Sequence, residues 1–278
     1  MTIIYVLDVG DDTDDSFSAI IKHNSSRLTV IDCSNWGKEN TTDFIIENLE
    51  REEVWRFILT HPDMDHMSGL HELSTTLTVH NFWDTGNNKK LRKGDFDYTR
   101  WNYEDWAEYQ RIRTGQTGTH VHMINRRGFE GKYWTNDGIS FLSPTKPLIN
   151  SANDNPNTNY HDLSYVIMYV GPKPECVSIL FMGEASLKAQ DDLIKKEVNI
   201  EADVLVAPHH GSKNNFKKEL VERVDPTYVI VPSASRNKTD FMDYWPYVGF
   251  EKLLVTAVNG TIRIAVRGDG YGVSTDYE

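Results

Sequence analysis

Residues 60–71 read Thr-His-Pro-Asp-Met-Asp-His-Met-Ser-Gly-Leu-His, and they place His61, Asp63, Asp65 and His66 within six positions. All four side chains are strong ligands for divalent cations. The preceding stretch, Val54-Trp55-Arg56-Phe57-Ile58-Leu59-Thr60, is short and largely apolar, which predicts a buried strand with the ligand cluster on the loop at its end. In extended backbone His61 and Asp63 project to the same side, while Asp65 and His66 follow once the chain has turned. One ion cannot easily collect all four. Two ions roughly 3.5–4 Å apart can, and such pairs activate water while clamping the attacked oxygen. Asp63 contributes a hard oxygen donor, so manganese is expected as readily as zinc. The alternative is a polar loop whose acids cap a helix running from Ser68 to Leu73 or beyond.

Working outward, Val204-Leu205-Val206-Ala207-Pro208-His209-His210-Gly211-Ser212 is a hydrophobic strand ending in paired histidines and a small turn. Either histidine can be a ligand or a proton donor, or both can flank a helix capped by Ser212. Ile179-Leu180-Phe181-Met182-Gly183-Glu184 ends another strand with a carboxylate, which can bridge two cations or open the next helix. His161 is a ligand candidate or an ordinary loop histidine. His120 and His122 alternate along a possible strand and carry no assignment.

The remaining pattern is layered α/β. Strands are expected at Ile3 to Val9, Leu28 to Asp32, Ile139 to Leu142, Ser164 to Val170, Val177 to Met182, Val204 to Ala207, Thr227 to Val231, Leu253 to Thr256 and Thr261 to Val266. A helix near Thr42 to Arg51 is opened by Thr41 or Thr42, a second near Leu187 to Val198 by Ser186, and a third carries Phe216, Leu220 and Val224. Residues 84–135 are charged and aromatic and read as a partly helical insertion, with Trp101, Trp106, Tyr109 and Ile112 at roughly helical spacing. The run from Ser143 to Asn159, rich in Ser and Asn, reads as a polar loop.

The 278 residues, 39% hydrophobic, are expected to form a single domain over 1–278. Short apolar runs and the absence of a basic leader argue against a signal peptide or membrane span. Cys33 and Cys176 alone suit a reducing cytoplasm and buried thiols rather than disulfides. A net charge of −12 argues against a broad basic surface for nucleic acid, although bound cations would supply positive charge where a phosphate sits. Lys89, Lys90, Arg92, Lys93, Arg111, Arg113, Arg126 and Arg127 can guide a polyanion or form solvated faces. Serine-elbow, P-loop, Cys-x-x-Cys and dinucleotide signatures are absent from the sequence.

The order of these motifs resembles the metallo-β-lactamase superfamily, particularly the branch typified by the C-terminal hydrolase domain of the competence protein ComEC. Asp8-Val9-Gly10 with Asp15-Ser16 resembles the branch's Asp-Val-Gly-Gln-Gly-Asp-Ser, with two extra residues. Val30-Ile31-Asp32 resembles the strand whose aspartate supports the metal loop. His61 to His66 is similar to its His-Pro-Asp-Ala-Asp-His, His161 to Ser164 falls at its Asn-x-x-Ser, and Pro208 to Ser212 matches its Pro-His-His-Gly-Ser. Met182-Gly183-Glu184 stands where the branch has Thr-Gly-Asp, and Ser233 to Tyr247 lacks the histidine of its Gly-His-Pro.

The resemblance implies a four-layer αββα sandwich and two divalent ions, zinc or manganese. His61 and Asp63 would serve one ion and Asp65 and His66 the other, with His161, Glu184, His209 and His210 completing the metal set. It implies a phosphodiesterase or nuclease acting on DNA, RNA or a nucleotide: Asp65 orients the attacking water, and His209 or His210 stabilises or protonates the departing oxygen. Hydrolysis of a lactone or thioester, or a non-catalytic metal-binding sensor, are the alternatives.

Overall fold

The structure is a computed structural model that describes residues 1–11, 15–123, 127–155, 160–171, 177–233, 240–267 and 270–277. Pro156, Asn157, Asn159, Arg126 and Cys176 lie outside the described residues.

Two twisted sheets form the frame. The eight-stranded sheet runs in the order Gly270–Thr275, Ile262–Arg267, Ile3–Val6, Ala19–Lys22, Leu28–Ile31, Arg56–Ile58, Asn81–Asp84, His120–Met123, and its last four strands are mutually parallel. The six-stranded sheet runs Leu253–Val255, Tyr228–Val231, Val204–Val206, Ser178–Phe181, Val166–Val170, Ile139–Ser143, with the first four parallel. Parallel strands buried on both faces read as continuous apolar runs, which is why Leu28–Ile31 and Val204–Val206 carry almost no polar side chains.

The core divides into layers. Ile4, Val6, Ile31, Ile58 and Trp83 from the first sheet interdigitate with Phe141, Ile167, Phe181, Val206 and Ile230 from the second. The outer face of the first sheet, with Val30, Phe57 and Phe82, buries Phe44, Leu70, Leu73, Trp106 and Tyr109. The outer face of the second, with Leu180, Leu205 and Val229, buries Ala189, Leu193, Leu220 and Val224. The architecture is therefore a four-layer αββα sandwich, each sheet covered by helices on its far side.

Several elements differ from the sequence reading. The helix near residue 42 is capped by Asn40, whose side chain accepts from the amides of Thr42 and Asp43, and after Asp43 it widens into a π-helix over Phe44–Asn48. The expected polar loop contains an eight-residue helix, Lys146–Asn153, held by the buried Leu148, Ile149 and Ala152; three well-spaced apolar residues outweigh a Ser/Asn-rich composition. Trp101 precedes its helix, which runs Tyr103–Arg113 from the cap Asn102. Segment 84–135 also supplies the edge strand His120–Met123. Ser186 caps the helix Leu187–Lys195 through Ala189 N–H, and Cys33 is a buried free thiol. No helix among the described residues is long and apolar enough to cross a membrane.

Candidate metal centre

Every ligand-type residue at the centre lies just beyond the carboxyl end of a strand or in a loop beside those ends, the crevice where open α/β sheets collect functional groups. His61, Asp63, Asp65 and His66 follow Arg56–Ile58, with Asp65 and His66 on a short 3₁₀ turn, Met64–His66. Glu184 follows Ser178–Phe181, His209 and His210 follow Val204–Val206, and His161 sits on the turn Tyr160–Leu163.

The side chains gather into two groups of four that share one member. His61, Asp63, His161 and Glu184 converge in one, and Asp65, His66, His210 and Glu184 in the other. Glu184 divides its oxygens between them. Oε2 lies 3.1 Å from His61 Nε2 and 2.7 Å from His161 Nε2, while Oε1 lies 3.1 Å from His210 Nε2 and 3.6 Å from His66 Nε2. Asp63 Oδ2 stands 3.1 Å from His161 Nε2, and Asp65 Oδ2 3.4 Å from His66 Nε2. His209 belongs to neither group: its Nδ1 is 3.6 Å from Glu184 Oε2, and its side chain is 33% exposed against 7% for His210.

The far nitrogens of the buried imidazoles are already engaged. His66 Nδ1 meets Asp32 Oδ2 at 2.6 Å, His210 Nδ1 donates to the Pro232 carbonyl at 2.8 Å, and His61 Nδ1 lies 3.1 Å from Thr60 Oγ1. Asp32 in turn accepts from the Thr60 amide and hydroxyl at 2.7 and 2.6 Å. These contacts fix ring orientation and leave each Nε2 aimed inward, the arrangement metal-binding histidines use. His61 Nε2, His66 Nε2 and His210 Nε2 are buried without a hydrogen-bond partner, as is His209 Nδ1. Buried imidazole nitrogens left unpaired cost free energy that a cation would recover, so the donor set fits a pair of divalent ions with N and O ligands.

Charge within the cluster is strongly coupled. Burial opposes the imidazolium form, yet the neighbouring carboxylates of Asp63 and Glu184 lift His161 to about 9, and those of Asp65 and Glu184 lift His210 to about 10. Burial likewise opposes ionisation of Glu184, but the imidazoles of His61, His161 and His210 around it hold its carboxyl well below the usual range.

Backbone geometry is unusual where it positions these groups. Asp32, His209 and His210 all adopt left-handed φ, at 56°, 49° and 51°. Non-glycine residues there cost on the order of 1–3 kcal/mol each and persist where surrounding structure demands them. Gly183, at φ 51°, has no room for a side chain: a Cβ would stand 2.5 Å from Ser164 Oγ, which itself accepts from the Glu184 amide at 3.0 Å.

Two contributors carry little sequence signal. Lys89, from segment 84–135, ion-pairs with Asp63 Oδ1, on the oxygen turned away from the histidines, and sits 5.7 Å from the Tyr160 ring centroid. The Pro232 carbonyl orients His210 but is a backbone group that any residue would offer. The other expected cations are dispersed: Arg111 pairs with Glu108 at 2.6 Å, Arg113 with Asp84 at 3.0 Å and Arg127 with Asp192 at 2.5 Å.

The structure superposes on Igni18, a metallo hydrolase from the hyperthermophilic archaeon Ignicoccus hospitalis, over 95% of this chain and 100% of that one, with a TM-score of 0.54 and 11% identity. It also superposes on the β-hydroxylase CmlA, in a mutant form, over 84% of this chain and 46% of that one, at TM-score 0.52 and 12% identity. A diphosphatase from the PhnP family aligns over 96% and 98% of the two chains at TM-score 0.48 and 10% identity. No family model and no curated protein matches the chain. The fold is the metallo-β-lactamase type. A hydrolase and a hydroxylase on one scaffold show that the reaction must be argued from the site.

Proposed function

We propose that the protein is a two-metal hydrolase that cleaves phosphodiesters, in a nucleic acid or a nucleotide, and that it belongs with the ComEC-like branch its motifs resemble. The observation that carries this reading is Glu184, whose two carboxylate oxygens each face a separate group of ligand-type side chains. His61, Asp63, His161 and Glu184 would hold one ion, and Asp65, His66, His210 and Glu184 the other. Manganese and zinc both suit these N and O donors. Bound divalent ions would supply an activated water and offset the charge that builds on a phosphoryl group in displacement.

The chain's own groups do the rest. Asp32, Thr60 and the Pro232 carbonyl hold the imidazoles at fixed tautomer and angle, so little reorganisation is needed when substrate arrives. Asp65, facing His66 and His210, is placed to orient the incoming water. His209 lies outside both groups and is the more exposed of the pair, which leaves its ring for the departing oxygen. Lys89 puts an ammonium beside Asp63, where an anionic ester oxygen would meet it.

The test is to load the protein with manganese or zinc and supply bis(p-nitrophenyl) phosphate, single-stranded DNA and RNA. Turnover of at least one, lost on chelation, is the expected result. Two tightly bound ions by elemental analysis with no turnover of any phosphodiester would sink the proposal.

A further inference from the structure

A cleft of about 350 Å³ opens directly onto the metal centre, bounded on one side by Asp63 and Asp65 and on the other by segment 84–135. Met64, Leu91, Phe96 and Trp101 make its apolar wall, and among the described residues Lys89 is the one cation that lines it. Its size is at the small end for ligand sites and matches one ring system rather than a run of nucleotides.

The wall is built rather than incidental. Trp101 is half-buried and meets Trp36 edge-on at 5.9 Å, with the Arg100 guanidinium 4.2 Å over Trp36 and 5.6 Å from Trp101. Phe96 packs edge-on against Tyr103 at 5.5 Å, and Trp106 Nε1 donates to the Leu91 carbonyl at 3.1 Å, pinning the loop to its helix. Aromatic faces held in this way offer a stacking platform without the entropy cost of ordering a flexible loop.

Charge sets the limit on what enters. Of the basic run, Lys90, Arg92 and Lys93 are exposed and do not line the cleft, while Arg111, Arg113 and Arg127 are committed to acids elsewhere. Asp95 lines the far side, so a second phosphate there would meet a carboxylate. A polymer tracks along several cations, and one lysine among acids, which is what the described residues offer here, is not such a track.

Resting on the phosphodiester reading above, we infer that this cleft is a subsite for one planar, apolar group of a small, singly charged phosphodiester, stacked on Trp101 and Phe96 with its anionic oxygen on Lys89. The substrate is then a mononucleotide- or dinucleotide-sized ester, and not a long nucleic acid.

Calorimetry on the metal-loaded protein with diphenyl phosphate and dimethyl phosphate isolates the subsite, because the two anions share charge and differ in planarity. Diphenyl phosphate is expected to bind about tenfold or more tightly, a preference that Trp101→Ala removes and Trp101→Phe largely retains. In turnover, the dinucleotide thymidylyl-thymidine is expected to show at least tenfold higher kcat/KM per linkage than a twenty-residue oligothymidylate. Equal binding of the two anions by the native protein, an unchanged ratio in Trp101→Ala, or faster cleavage of the oligomer would overturn the inference while leaving a phosphodiesterase in place. An intact binding ratio with no turnover of any diester would instead remove the phosphodiesterase reading and keep the subsite.

Discussion

The strand Arg56–Ile58 joins two buried polar clusters that resolve their polarity in opposite ways. At its start, Arg56 is fully buried and donates to Thr29 Oγ1 at 2.7 Å, to Asp137 Oδ2 at 2.8 Å and to the Tyr133 carbonyl, while His23 Nε2 shares the same Thr29 hydroxyl at 2.9 Å. Only Nε of that guanidinium is left unpaired. Past its end, the loop carrying His61 to His66 leaves three imidazole Nε2 atoms unpaired around a shared carboxylate, on a backbone that includes left-handed Asp32, His209 and His210. A cluster that closes on itself contributes to the fold. One that keeps inward-facing groups open is arranged for something outside the chain.

The sharpest way to break the contrast is Glu184→Ala. Both groups lose their common ligand, so turnover of bis(p-nitrophenyl) phosphate should fall by roughly a thousandfold or more, with bound metal dropping below two ions per chain by elemental analysis. Retained activity with two ions would deny Glu184 its bridging role. At the other end, Arg56→Ala leaves Asp137 without its buried partner and should cost about 3–5 kcal/mol in denaturant unfolding. The surviving folded fraction should bind metal normally, since none of its ligands is touched.

Asp32→Asn tests the contact between the site and its support. With the carboxylate on His66 Nδ1 replaced by an amide, metal affinity should weaken by about 10–100-fold in a competitive chelator titration, with little loss of helix signal in circular dichroism.

A smaller effect concerns pH. Burial depresses His23 from 6.5 to about 4, with Asp137 pulling the other way and Arg56 and Arg27 adding to the depression. The unfolded chain therefore takes up a proton between those values before the folded one does. Stability from neutral His23 is fully present above pH 6.5 and is lost as pH falls toward 4, on the order of 2–3 kcal/mol. His23→Gln should flatten that part of the stability profile measured by urea unfolding, and an unchanged slope would show that His23 titrates normally.

The two clusters also differ in how far the sequence discloses them. Four ligand-type residues within six positions after an apolar strand are conspicuous, as are paired histidines at a strand end, because few other uses call for that density. The partners of Arg56 are spread over residues 29, 133 and 137 and leave no local pattern. At the candidate metal centre the supporting groups leave the least trace in the sequence: the Pro232 carbonyl is main chain, and Lys89 reaches Asp63 across 26 residues of sequence. The helix Lys146–Asn153 was obscured by composition, and Trp101 by a spacing that continued the helical pattern beyond the helix's true start at Tyr103. Strand existence and order along the chain follow from apolar runs; which strands lie side by side depends on contacts the chain makes only when folded.

One of those side-by-side arrangements bears on how the protein is made. Ile3–Val6 sits between Ala19–Lys22, which pairs with it locally, and Ile262–Arg267, which pairs with it from the far end of the sequence, with Ile3 opposite Ala265. On a ribosome adding roughly 5–20 residues per second, the first strand would emerge about 10–50 seconds before that second neighbour. Through that interval its outer edge offers unpaired amides and carbonyls to any passing strand. Nascent chains halted before residue 262 should therefore be where chaperones engage this protein most strongly, and release of the full-length chain should end that engagement.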